Sequence, residues 1–190
     1  MRRHLRSRTL MLRRKRLNEV VATDTYFSPI RSLEGYTCAQ VFFCCTSRVI
    51  QTIGMATKSD FPAIYKGFLR QHGIPHTLRR DNATSEDSFA IRDINRDYCI
   101  SDAFTEPHSP WQNPAETNGV RFLKPHAQVL MDRAGTPASL WFLAHRYVAD
   151  VYNVTSHELL KWQTPAQVQG GIHRTYHMSL HIIGLNQCCI

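Results

Sequence analysis

Hydrophobic and polar positions follow two different periods along this chain. Val20–Phe27 (VVATDTYF) is β-branched and aromatic, the composition of a strand. Turn residues follow over 28–36, with Pro29 and Gly35 among them. Cys38–Cys45 and Val49–Met55 predict two more strands, joined by a tight turn near Thr46-Ser47. Phe42 and Phe43 fall on opposite faces of the second strand, so both faces of the sheet must be covered. Three strands in succession predict an antiparallel meander.

The period then lengthens. Phe61, Ile64, Tyr65, Phe68 and Leu69 recur at helical spacing, and Gly73 and Pro75 end that helix. A short strand over His76–Arg80 stops at Asp81. Thr84 and Asp87 are spaced like a capping box and open a helix reaching about Asn95. Tyr98–Phe104 predicts a fifth strand. Asn113 suits the N-cap of the next helix, Pro114 its first position and Gly135 its end. Pro125 lies inside this helix, which predicts a break near Lys124 and a second segment from Pro125. Thr136-Pro137 opens a last helix. Its apolar stripe of Leu140, Leu143, Ala144, Tyr147, Val148, Val151 and Val154 is expected to face the core. Met55, Met131, Trp141 and Trp162 read as core or interface residues. The pattern weakens beyond Trp162. The order β-β-β-α-β-α-β-α-α predicts an α/β fold: a mixed five-stranded sheet with helices on both faces.

With 190 residues and 43% apolar content, the chain suits one domain, and no apolar run approaches the roughly 18 residues of a membrane span. The net charge of +8 changes the picture because it is unevenly placed. Residues 1–18 carry Arg13, Arg14, Lys15 and Arg16 in one run, four further arginines, and no acid. The rest of the chain is formally neutral. Such an arm suits DNA binding through counterion release, and equally a nuclear-import signal, a transit peptide or a solvated tail. The six cysteines form no Cys-x-x-Cys pair, and no secretory signal is visible. A reducing, intracellular compartment is therefore expected.

Three acids stand at informative places. Asp24 lies in the first strand, Asp81 just past the fourth, and Glu116 in the first turn of the long helix. If the first and fourth strands are neighbours, the two aspartates sit side by side, and a helix across that edge can aim Glu116 at both. Three converging carboxylates repel one another unless divalent cations lie between them. Hard oxygen ligands suit Mg²⁺ or Mn²⁺, and a two-metal site suits in-line phosphoryl transfer. Each acid also has a plainer reading. Asn113 to Glu116 is a capping box, Asp24 is a strand acid bonded locally, and Asp81-Asn82 is a turn.

The segments NEVVATDTY, LRRDNATSE and SPWQNPAETNGVRF resemble the catalytic core of retroelement integrases, the copia-type ones especially. Such cores carry an Asp–Asp–Glu triad with 35 residues from the second Asp to the Glu, which is the spacing of Asp81 and Glu116. The likeness covers roughly residues 5 to 170, with MDRAGTPASLWFLAHRYVADVYN and TPAQVQGG as further landmarks. It implies a ribonuclease-H-like fold and a nuclear location. Asp24, Asp81 and Glu116 would be catalytic metal ligands. Water would attack in 3′-end processing, and a DNA 3′-hydroxyl in strand transfer. It also implies DNA partners (element ends and target) and a homo-oligomer, with no membrane. Asn82, Gln112 and Asn113 would lie along the DNA. A basic residue often follows the family's Glu. Here that place holds Thr117, and Arg121 and Lys124 are the nearest cations. The family's zinc-binding domain lies upstream of such a core, so residues 1–18 are expected to be a linker arm, 19–158 the core, and 159–190 a weakly structured extension. A repurposed nucleic-acid- or protein-binding module without turnover, and a ribonuclease-H-type nuclease, remain open alternatives.

His173, His177 and His181 recur every four residues and precede Cys188-Cys189. On a helix the histidines would share a face, but Gly170-Gly171 and Gly184 leave little helix support, and adjacent cysteines are poor joint ligands. The run reads as tail.

Overall fold

The computed structural model describes residues 18–81, 89–106 and 112–170. Three antiparallel strands come first: β1 (Val20–Phe27), β2 (Cys38–Cys44) and β3 (Ile50–Met55). Then α1 (Phe61–His72), β4 (Thr77–Arg80), α2 (Phe89–Asp97) and β5 (Ser101–Phe104) alternate. A π-helical turn (Ala115–Val120) leads into α3 (Arg121–Ala134), followed by α4 (Trp141–Val154) and a short α5 (Pro165–Gly170). The strand order is β3-β2-β1-β4-β5, with β4 and β5 parallel to β1. The expected mixed sheet is present, and its first and fourth strands are neighbours.

Side-chain alternation divides the core into two layers. Ala22 and Tyr26 of β1, Ala39, Val41 and Phe43 of β2, and Ile50 of β3 pack beneath the π turn, α3 and α4. Val21, Cys38, Phe42, Met55 and Leu78 pack beneath α1 and α2 on the other face. Phe42 stacks on Phe68 of α1 with ring centroids 4.1 Å apart. Phe42 and Phe43 thus lie on opposite, covered faces, as the sequence requires.

Three expectations are corrected. The long helix does not break near Lys124: α3 continues through Pro125. Pro125 sits on the exposed side, where water can reach the Arg121 carbonyl that the missing prolyl N–H leaves without its helical donor. The irregularity lies upstream, in the π turn, where the Arg121 N–H donates to the Glu116 carbonyl five residues back. Second, α4 does not bury the predicted stripe. It buries Trp141, Phe142, Ala144, His145, Ala149 and Tyr152, leaving Tyr147 58% and Val151 43% exposed. The helix is apolar almost all round, so periodicity identifies it without choosing its buried side. Third, β5 begins at Ser101, because Cys99 takes a left-handed conformation (φ 54°) that ends α2 in a turn. Trp162 is exposed, whereas Met55, Met131 and Trp141 are buried.

Of the C-terminal extension, residues 159–170 are described. They include a backbone bridge between His157 and Gln163 and α5, which packs on α4. The histidine run and Cys188-Cys189 lie outside the described residues, as does the basic arm through residue 17. Among the described residues, no helix is long and apolar enough to cross a membrane.

Candidate active site

Asp24 alternates with Ala22 and Tyr26, so it belongs to the sheet face that α3 and α4 cover. Along the parallel pair of β1 and β4, Ala22 is level with Arg79. Two residues further on in each strand, Asp24 comes level with Asp81, and neighbouring strands lie about 4.8 Å apart. Regular β4 pairing ends at Arg80, yet the chain holds its course. The Thr105 N–H donates to the Arg80 carbonyl at 3.1 Å, and the Thr105 hydroxyl donates to Asp81 Oδ1 at 3.2 Å.

Glu116 arrives from above. On the other side of β1, Asp24 is paired with Val41 of β2. A Cβ placed on Gly119 would come within 2.9 Å of Val41 Cγ1. Only a residue without a side chain lets the π turn lie this low on the sheet. Glu116 lies in the same π turn and is half-buried. Asn113 fixes the helix start: its Oδ1 accepts from the Ala115 N–H at 3.0 Å, and its Nδ2 donates to the Thr23 carbonyl at 3.1 Å. The capping half of the predicted box is therefore real. The reciprocal half is not, because the Glu116 carboxylate makes no hydrogen bond among the described residues and is left for other work.

Asp24 and Asp81 therefore share one end of one sheet face, and Glu116 lies in the π turn that packs on β1 and β2. Their carboxylates are not drawn into a cluster: among the described residues no group of three or more His, Cys, Asp or Glu side chains could hold a metal ion. In kind, the donors fit a hard divalent cation, since all are carboxylates and two stand at level positions on adjacent strands.

The predicted DNA contacts separate. Lys124 is exposed, with its ammonium 5.7 Å from the centre of the Tyr26 ring, two residues beyond Asp24. Arg121 is exposed. Gln112 accepts from the Glu106 N–H and donates to the Glu106 carboxylate, both at 3.2 Å. Asn113 is only 2% exposed and bonded within the protein through both ends of its amide, so it positions the helix and has no surface to offer DNA. Arg13, Arg14, Lys15, Arg16 and Asn82 lie outside the described residues.

Sequence reasoning missed Gly119, Thr105 and Arg79. Gly119 carried a signal: a glycine inside a helix costs about 1 kcal/mol against alanine and calls for a packing reason. Nothing local marked the other two.

Behind the site, Tyr26 stacks on His145 at 5.0 Å and meets Trp141 edge-on at 5.7 Å. Burial raises the Tyr26 phenol well above its ordinary range and lowers the His145 imidazole below its own.

No protein-family model matches this chain, and no curated protein matches it. Solved structures do. A chain of the simian T-cell lymphotropic virus intasome, solved in complex with PP2A regulatory subunit B56 gamma, superposes with a TM-score of 0.62 at 15% identity, over 90% of this chain and 59% of that one. The HTLV-2 integrase catalytic core domain in complex with magnesium (trimeric form) superposes at 0.60 and 15% identity, over 80% and 96%. The catalytic core domain of BIV integrase superposes at 0.62 and 12% identity, over 81% and 95%. At these identities the likeness establishes the fold: the ribonuclease-H-like α/β fold of integrase catalytic cores. The chain spans less than two thirds of the matched intasome chain.

Proposed function

We propose that this chain is a retroelement integrase core of the copia type, which binds DNA and carries out 3′-end processing and strand transfer. The observation that carries this reading is the level placement of Asp24 and Asp81 beneath a helix start pinned to β1 by Asn113. The integrase cores that share the fold, one of them solved with magnesium, support it.

In this reading Asp24, Asp81 and Glu116 would hold Mg²⁺ or Mn²⁺, which supplies Lewis-acid activation of the attacking oxygen and neutralises charge on the leaving one. The protein's own contribution is positioning. Thr105 orients Asp81, Gly119 sets the height of Glu116, and Asn113 sets its angle. Arg121, Lys124 and the arm Arg13–Arg16 add phosphate contacts, with Asn82 and Gln112 beside the reacting strand. Function is nuclear, with element ends and target DNA as partners, and a homo-oligomer burying the apolar outer face of α4 around Tyr147 and Val151.

An oligonucleotide strand-transfer and disintegration assay in Mg²⁺ or Mn²⁺ tests this. Wild type joins strands, while Asp24→Asn and Glu116→Gln fall by at least about a hundredfold, the scale of losing one transition-state stabiliser. A second reading, nucleic-acid binding without turnover, draws on the ungathered carboxylates. Oligonucleotide binding with no joining above background in wild type or Glu116→Gln would establish it and end the first.

A further inference from the structure

One pleat behind the acids lies a row of the opposite sign. Arg79 is level with Ala22, which pairs with Phe43, on the sheet face that carries Asp24 and Asp81. Two residues of strand, about 6.6 Å, separate the two rows. Arg79 is half-buried, and among the described residues no carboxylate pairs with it; its one hydrogen bond is a long one, 3.5 Å to the Gln112 carbonyl. Arg48 comes to the same layer from the turn between β2 and β3. It takes a left-handed conformation (φ 62°), uncommon for a side-chain-bearing residue. Its guanidinium lies 5.5 Å from the centre of the Phe43 ring and reaches Asn118 Oδ1 at 3.4 Å, again with no acid partner among the described residues.

Two half-buried guanidinium groups on one sheet face, with no carboxylate partner among the described residues, favour an anion beside them. Beside Arg79 is room for one, and Arg48 comes to its rim at Asn118. A cleft of about 490 Å³ is lined by Arg79, Thr105, Gln112, Thr117 and Asn118, and Asn118 is the residue Arg48 touches. The hydroxyls of Thr105 and Thr117 and the amide of Gln112 already donate within the protein, so the guanidinium forks are the donors left for phosphate oxygens.

We propose that this cleft is a phosphodiester subsite, in which Arg79 and Arg48 hold a backbone phosphate of nucleic acid beside the acid row. It gives the strand a second anchor, so that the neighbouring linkage lies over Asp24 and Asp81. The inference rests on the DNA-binding reading above, and it adds a site on the folded domain distinct from the basic arm.

The test uses the full chain in EDTA, where no metal-dependent step intervenes, with fluorescent oligonucleotides followed by anisotropy over a salt series. Arg79→Gln and Arg48→Gln should each weaken binding and reduce the slope of log affinity against log salt by about 0.7 for a single strand or about 0.9 for a duplex. Arg79→Lys keeps most of the slope. Arg70→Gln, an exposed cation on α1 across the sheet, leaves it unchanged. Wild-type slopes in both glutamine variants, or an equal loss in Arg70→Gln, overturn the subsite. If Arg79→Gln does not fold, protection of Arg79 from phenylglyoxal by oligonucleotide supports the subsite, and unprotected modification overturns it. Strand transfer can fail while these slopes hold, and the slopes can fail while strand transfer holds, so the two proposals fall separately.

Discussion

The side-chain amide of Asn113 donates to the main-chain carbonyl of Thr23 at 3.1 Å, across 90 residues of sequence. Thr23 immediately precedes Asp24. The same side chain caps the helix that carries Glu116. One buried amide thus sets the distance between two of the three acids.

Substitutions at Asn113 should separate its two jobs. Asn113→Ala removes the cap and leaves the Thr23 carbonyl without this donor, a loss of about 1–3 kcal/mol in a urea melt. Asn113→Asp keeps an oxygen for the Ala115 N–H but sets an acceptor against the Thr23 carbonyl. It should retain more stability than Asn113→Ala while losing strand transfer just as severely. Full activity in Asn113→Asp would show that the tie to β1 does not position Glu116.

Gly119 makes a prediction of opposite sign to the usual one. Glycine to alanine inside a helix ordinarily stabilises by up to about 1 kcal/mol. Here the new Cβ meets Val41 Cγ1 at 2.9 Å, and Val41 is β-branched and fully buried. Gly119→Ala should therefore destabilise, and Val41→Ala in the same chain should recover part of the loss. A double-mutant cycle by urea melts measures the coupling. If Gly119→Ala alone is more stable than wild type, the close approach is not limiting.

Arg80 carries the largest stability prediction. It is 0% exposed, and its Nε and Nη2 donate to Asp102 Oδ1 at 3.1 and 3.0 Å. Asn95 donates to that oxygen at 2.7 Å, and the Tyr65 hydroxyl donates to Asn95 at 2.9 Å. Phe104 closes the group, its ring centre 4.8 Å from the guanidinium carbon. Arg80→Met removes these charge-assisted bonds and should cost about 1.5–3 kcal/mol in chemical denaturation, the partly exposed Asp102 being left to water. Arg80→Met with Asp102→Leu should cost less than Arg80→Met alone, since the carboxylate left without its arginine is then gone too. A double variant worse than the single would mean that packing, not charge, dominates there.

The sheet was readable because strand alternation is a local signal: Phe42 and Phe43 demand two covered faces by adjacency alone. The spacing of Asp81 and Glu116 was likewise visible in the chain. What stayed hidden depends on contacts between distant residues. Asn113 looked like a surface amide because its partner Thr23 lies on another element. Arg79 looked like any strand arginine until the register set it one pleat behind the acids. The stripe on α4 misled because almost every side of that helix is apolar, and only the aromatic fit of Trp141 and His145 against Tyr26 selects the buried one. Pro125 misled because exposure on α3 removes most of what it would have cost inside the core.

The fit of His145 against Tyr26 leads to a prediction about pH. His145 Nδ1 donates to the Trp141 carbonyl at 2.6 Å, so the neutral ring carries its lone pair on Nε2, which is buried with no partner among the described residues. Protonation there would place a charged N–H among Tyr26 and Trp141, with the Lys124 ammonium adding repulsion. Burial, the main cause, and Lys124 hold the folded pKa below the ordinary 6.5 against the opposing pull of the Trp141 carbonyl. The unfolded chain takes up its proton near 6.5, and the folded chain does so only at lower pH. The contribution of neutral His145 is therefore complete above pH 6.5 and is lost progressively as the pH falls from there towards the folded value. Burial lowers His72 on α1 in the same direction, so two groups act together. Thermal melts across this range should show midpoints falling with acid in wild type and a shallower fall in His145→Gln, with the remaining slope reduced again by His72→Gln. Equal slopes in wild type and His145→Gln would mean that the imidazole finds an acceptor or water when it is charged, and that the pocket behind Asp24 is wetter than its packing implies.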